Sequence, residues 1–207
     1  VDDNGMVPLT DPVDTAVGGM SGHLLRRSIH FGMCIIPWVV YAHGERAADL
    51  LGLANEAQVV SAFVLLLVVA EAARLRLGIT VFGQRDYEAT QVSALAWGAL
   101  AIGLVLLALP EAALGAPLIL SLALGDPLLG ELRRAGRPPR TVFLLGTVAL
   151  ALVWGACVAW LGTPWLLAVL LPPLCVAAEW PRLRWIDDNA TMLLLPLAAV
   201  MLLQPWL

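Results

Sequence analysis

Residues 141–161 read TVFLLGTVALALVWGACVAWL, an apolar run without one ionisable side chain. Roughly 20 such residues are what a helix needs to cross the hydrocarbon of a bilayer, with some tolerance for snorkelling flanks. Working outward, further apolar runs lie near 27–43, 57–77, 92–109, 116–132, 164–180 and 190–207. They are continuous rather than alternating, which excludes the strands of a β-barrel. The breaks carry turn chemistry: Gly44-Glu45-Arg46, Gly83-Gln84-Arg85-Asp86, Pro110-Glu111, Gly136-Arg137-Pro138-Pro139, Gly162-Thr163-Pro164 and the stretch 181–189. The shortest, at 162–164, predicts a tight helical hairpin. The expected fold is all-α, a polytopic transmembrane bundle of about seven spanning helices over a single domain, 23–207. The polar, acidic segment 1–22 is expected to be a flexible N-terminal tail and not a signal peptide.

Composition agrees. Of 207 residues 60% are hydrophobic, more than one soluble core of this size can bury, so the solvent must in part be lipid. The basic residues are all arginine and the formal charge is −4, which leaves no basic tract for nucleic acid. Cys34, Cys157 and Cys175 are scattered through apolar runs, so they read as small core residues and not as a disulfide framework or thiolate site.

Seven crossings from a cytoplasmic N-terminus put eleven of the twelve arginines inside, with Arg46 alone outside. The expected setting is therefore the cytoplasmic membrane of a prokaryote, with the polar face toward the cytoplasm. Most acids fall at the same face, and so does His30. A charge deep in a spanning helix costs about 2.5–3.5 kcal/mol on insertion scales, so an acid within an apolar run calls for a partner or a wet cavity. Glu71, Asp126 and Glu179 are such acids. The Glu71-Ala72-Ala73-Arg74 spacing sets Glu71 beside Arg74, so an internal ion pair is its simplest reading. Asp126, in Gly125-Asp126-Pro127, is expected at an interruption of its helix, either as a cation site or as a cap.

Asp187-Asp188-Asn189-Ala190-Thr191 precedes the last apolar run. One of these residues is explained as an N-cap; the set also offers the hard oxygen ligands that magnesium takes. Arg26-Arg27-Ser28-Ile29-His30 puts His30 on the same helical side as the arginines. Carboxylates for a metal, beside guanidinium groups able to grip phosphate, are what phosphoryl transfer requires.

At these residues the chain resembles the membrane family of CTP-dependent polyprenol kinases, which includes dolichol kinase, phytol kinase and the yeast-type diacylglycerol kinase. Arg26-Arg27-Ser28-Ile29-His30 is similar to that family's Arg-Lys-x-x-His entry into the first span. Leu124-Gly125-Asp126 is similar to its Gly-Asp motif, and Glu179 followed by Asp187-Asp188-Asn189-Ala190-Thr191 and Pro196 to its Glu, Asp-Asp-Asn-x-Thr and Pro. The resemblance implies transfer of the terminal phosphate of CTP to an isoprenoid or other lipid alcohol, with Mg2+. It implies His30, Asp126 and Asp188 as catalytic residues and Asp126, Asp187, Asp188, Glu71 and Glu179 as metal ligands. Arg26, Arg137, Arg140, Asn189 and Thr191 would bind the nucleotide. The chain departs from the family where a lysine-containing stretch follows Gly-Asp; Arg137 and Arg140 are the expected electrostatic substitutes, though a planar fork grips phosphate differently from a point charge. A lipid cytidylyltransferase, or a non-catalytic scaffold or transporter, is the alternative reading.

Overall fold

A computed structural model of the chain describes residues 16–207 apart from Arg182 and Arg184. It contains eight α-helices: α1 (Gly19–Gly32), α2 (Ile35–Leu51), α3 (Glu56–Leu77), α4 (Ala94–Ala108), α5 (Ala112–Arg134), α6 (Pro139–Leu161), α7 (Trp165–Ala178) and α8 (Asp188–Leu203). Among the described residues the only β-pairing is one isolated bridge, Ala16 to Arg85. The chain is thus an all-helical membrane protein. Among the described residues four segments are long and apolar enough to cross a bilayer, Glu56–Leu77, Ala112–Arg134, Pro139–Leu161 and Asp188–Trp206, while α4 and α7 are apolar but shorter.

Helix boundaries follow local chemistry. Asn55 accepts from the Gln58 amide at 3.0 Å to start α3, and Ser93 accepts from the Ala96 amide at 3.1 Å to start α4. Gly162, at φ 72°, supplies the left-handed residue that ends α6 and makes the hairpin into α7. The first expected run is divided between α1 and α2. Pro37 has no N–H for the Met33 carbonyl; Ile36 donates to it instead at 3.0 Å, and the helix is distorted at residues 33–34. The residues 16–22 expected at the end of a flexible tail are ordered into the fold. Val17 donates to the Gln84 carbonyl at 2.8 Å, its own carbonyl accepts from Gly83 at 3.0 Å, and α1 begins at Gly19. The rest of that tail lies outside the described residues.

Helix α5 is the axis of the bundle, in contact with α1, α2, α4, α6, α7 and α8. Leu118, Ile119, Leu122 and Leu129 on α5 are fully buried against Trp154, Leu171 and Met192. The expected interruption at Asp126 does not occur: α5 runs unbroken through Pro117 and Pro127. Burial on several sides keeps it continuous, and its polar groups find partners from neighbouring helices. The Ala113 carbonyl, four residues before Pro117, accepts from Thr163 Oγ1 at 2.6 Å, and Ser121 Oγ takes the Trp154 indole proton at 2.8 Å. Helix α3, by contrast, lies at the edge, with Phe63, Leu65 and Leu66 exposed as lipid-facing side chains are.

Candidate functional site

The ionisable side chains of α1, α3, α5, α7 and α8 and of the 78–93 loop meet at one end of the bundle. Asp126 is buried there on α5. Arg27 of α1 donates through Nη1 to Asp126 Oδ2 at 3.0 Å, and His30 Nε2, one turn further along α1, lies 3.4 Å from the same oxygen. Gly130 makes this approach possible, because a Cβ at that position would sit 2.1 Å from Arg27 Nη2. At the mouth, Glu131 is 3.1 Å from His23 Nε2 and 3.5 Å from Arg27 Nε.

Two more carboxylates arrive from the other side. Glu179 caps the C-terminus of α7, and Asp188 is the first residue of α8. One oxygen each from Asp126, Glu179 and Asp188 lie within 4.8 Å of one another. Arg133, two turns beyond Asp126 on α5, holds Glu179 through its Oε1. Glu179 Oε2 and Asp188 Oδ1 are buried without a hydrogen-bond partner. Three carboxylates at this separation repel one another, and leaving buried acceptors unpaired costs about 1–3 kcal/mol each, more for charged groups. A divalent cation removes both penalties. Around a magnesium ion neighbouring ligand oxygens are about 2.9 Å apart and opposite ones about 4 Å, so Asp126, Glu179 and Asp188 could hold one by drawing together.

The helix-entrance residues divide their work. Asp187 caps α8, accepting from the Asn189 amide at 3.1 Å. Burial, together with the adjoining Asp188 carboxylate, pushes the Asp187 carboxyl well above the usual range. Thr191 donates to the Asp188 carbonyl at 3.1 Å. Asn189 donates to the Ala94 carbonyl at 3.2 Å, tying α8 to α4, and its Oδ1 is a buried acceptor with no partner.

Several expectations need correction. Glu71 is not a metal ligand here: both of its oxygens accept from Arg74 at 2.8 Å, and Oε1 also accepts from the Ser93 amide. Three of its roughly four lone-pair sites are thus engaged by the fold. Asp187 stands outside the carboxylate triad because its oxygen is engaged as the cap, and Thr191 spends its hydroxyl proton on its own helix. Arg137 and Arg140 lie exposed at the α5–α6 turn, and their side chains pair with no described residue.

Other arginines take the positions expected for them. Arg26 is 3.4 Å from Glu88 Oε1, a carboxylate outside the triad. Arg27 and Arg133 are in direct contact with the triad. Arg85, from the 78–93 loop, donates to the Tyr87 hydroxyl; burial opposes its charge, but Tyr87, Asp188 and Asp187 more than offset this and raise its pKa. Arg27 was within reach of the helical spacing, three residues from His30, and Arg133 falls seven residues after Asp126 on the same face of α5. Arg85 has no local signal, because only the folded loop brings it to α8.

Comparison of the chain with family models, curated proteins and solved structures gives no match.

Proposed function

We propose that this protein is an integral membrane lipid kinase with seven crossings and a cytoplasmic N-terminus, in which α1 and α2 together form the first crossing. It transfers the terminal phosphate of a nucleotide, CTP by family resemblance, to the hydroxyl of an isoprenoid alcohol at the cytoplasmic face. The observation that carries this reading is the meeting of Asp126, Glu179 and Asp188, with orphaned oxygens, beside Arg27 and His30. Phosphoryl transfer asks mainly for positioning and for neutralised charge, and that set of residues supplies both.

Asp126, Glu179 and Asp188 would hold the magnesium. Once bound, the ion neutralises phosphate charge and orients the nucleotide's phosphates. Arg26 and Arg85 flank the triad and offer guanidinium donors to the remaining phosphate oxygens. Arg27 fixes the Asp126 carboxylate. The alcohol oxygen forms the new bond to phosphorus, the bond from phosphorus to the bridging oxygen breaks, and the nucleoside diphosphate leaves. The hydroxyl proton passes to His30 Nδ1, the ring nitrogen turned away from Asp126. Asn189 braces α8 against α4, keeping Asp188 in register.

The test is incubation of purified protein with Mg2+, CTP or ATP, and geranylgeraniol, phytol, dolichol or diacylglycerol. Formation of a lipid monophosphate and the nucleoside diphosphate is the expected result. Transfer to none of these acceptors would end the kinase reading, and release of pyrophosphate would replace it with cytidylyl transfer.

A further inference from the structure

A second feature adjoins the triad. Between α1 on one side and α3 and α4 on the other lies a cavity of about 390 Å³, within the usual range of ligand sites. Its walls are largely apolar, with Ile29 from α1, Leu67 and Ala70 from α3, and Leu95 from α4. Ile29, Ala70 and Leu95 are exposed, and the cavity is partly open to the surface between these helices. It is open because α1 rests on α5, which leaves its opposite face clear of α3.

The polar residues of the cavity include His30 and Asn189. Both are nearly fully buried, at 3% and 2% exposure, and each has one unpartnered polar atom: His30 Nδ1 and Asn189 Oδ1. With His30 Nε2–H facing Asp126, Nδ1 is an acceptor, as is the Asn189 oxygen. Two orphaned acceptors in an apolar chamber call for a ligand with a hydrogen-bond donor at the tip of a hydrocarbon chain. A carboxylate or phosphate headgroup brings only further acceptors to these two atoms, and the guanidinium of Arg26, which also lines the cavity, is already 3.4 Å from Glu88 Oε1.

Accordingly, we infer that the α1/α3/α4 cavity is the acceptor site, entered sideways from the bilayer by a single-chain alcohol. The hydroxyl donates to His30 Nδ1 or Asn189 Oδ1, while the first part of the chain lies along Ile29, Leu67, Ala70 and Leu95. This deepens the kinase reading and rests on it for the identity of the reaction, but not for the presence of the site. The imidazole that receives the hydroxyl is the one whose other nitrogen faces Asp126, which puts the acceptor oxygen at the edge of the triad.

Photolabelling tests this independently of turnover. A geranylgeraniol analogue with a diazirine close to its hydroxyl would be irradiated with the purified protein in lipid vesicles, without nucleotide, and the adducts mapped by mass spectrometry. Adducts should concentrate on Ile29, Leu67, Ala70 and Leu95, and excess unlabelled geranylgeraniol should suppress them. Ala70→Trp, at an exposed position that tolerates bulk, should fill the cavity, lower labelling about tenfold and raise KM for the alcohol by a similar factor while KM for the nucleotide holds. Labelling spread evenly over lipid-facing helices, or unaffected by Ala70→Trp, overturns the acceptor site even if transfer to lipid alcohols is measured. Competed labelling in the cavity with no transfer from any nucleotide upholds the site and removes only the kinase reading.

Discussion

Two buried acid–arginine clusters lie at the same end of this bundle, and they differ in how completely they are satisfied. In the first, Arg74 uses all five of its N–H donors, on Glu71, Ile79, Glu88 and Gln91. Glu88 in turn takes the amides of Arg85 and Ala94. Nothing there awaits a ligand; the cluster fastens the 78–93 loop to α3 and α4. In the second, Asp126, Glu179 and Asp188 crowd together with acceptors unpaired. Burial is common to both. Saturation makes the first a structural joint, and its absence is what makes the second the candidate for a binding site.

The sharpest way to break this contrast is to remove one member of each cluster. Asp188→Asn should lower phosphate transfer on the order of 10³-fold, since an electrostatic contribution to the transition state is lost. Mg2+ should raise the Tm of the native protein, and Asp188→Asn should abolish that rise, while Tm in chelator is unchanged or higher, as carboxylate repulsion is relieved. A fall in Tm under chelator would make the triad a structural joint like the other. Glu71→Ala should do the reverse. It strands a buried guanidinium at a cost of about 3 kcal/mol, seen as a lower denaturation midpoint in detergent, and the Mg2+-dependent shift survives.

Smaller effects sharpen the boundary of the site. Gly130→Ala should push Arg27 off Asp126, reducing transfer about tenfold with little change in Tm, because a long side chain can move aside. An unchanged rate would show that Arg27 is dispensable. The smallest effect concerns Asp187, whose carboxyl is held above its ordinary value by burial and by Asp188. A raised folded-state pKa means the folded chain binds more protons than the unfolded one. Stability contributed by this group is complete at pH below its unfolded value and is lost as pH climbs through its folded value. Asp187→Asn keeps a competent cap, so it should raise Tm at neutral pH and leave it unaltered near pH 3. A gain equal at both pH values would refute the electrostatic origin.

Much of the fold was legible because lipid imposes a simple rule. Every backbone polar group must be paired within its own helix, so long apolar runs and their Gly, Pro and Asn punctuation announce helices directly. The break between α1 and α2 was not legible, since it depends on how the chain accommodates Pro37. The continuity of α5 was missed for the opposite reason: Pro127 has the local signature of a break, and packing on several sides of the helix overrides it.

For the site, sequence alone picked out Glu71, Asp126 and Glu179 as acids within apolar runs, Asp187 and Asp188 as oxygen ligands at a helix entrance and His30 beside the arginines, and expected distant acids and arginines to converge. It could not say which carboxylates would have free lone pairs. Glu71 looked as suitable as Glu179 until Arg74 and Ser93 were seen to consume its oxygens, and Arg137 and Arg140 looked more suitable than Arg85. Hydrophobicity and helical period are properties of neighbours along the chain, so the sequence determined the membrane-embedded helices and the residues that needed partners. Which partner each one found depends on groups as far apart as Arg27, Asp126 and Asp188, and only the tertiary packing around α5 decided it.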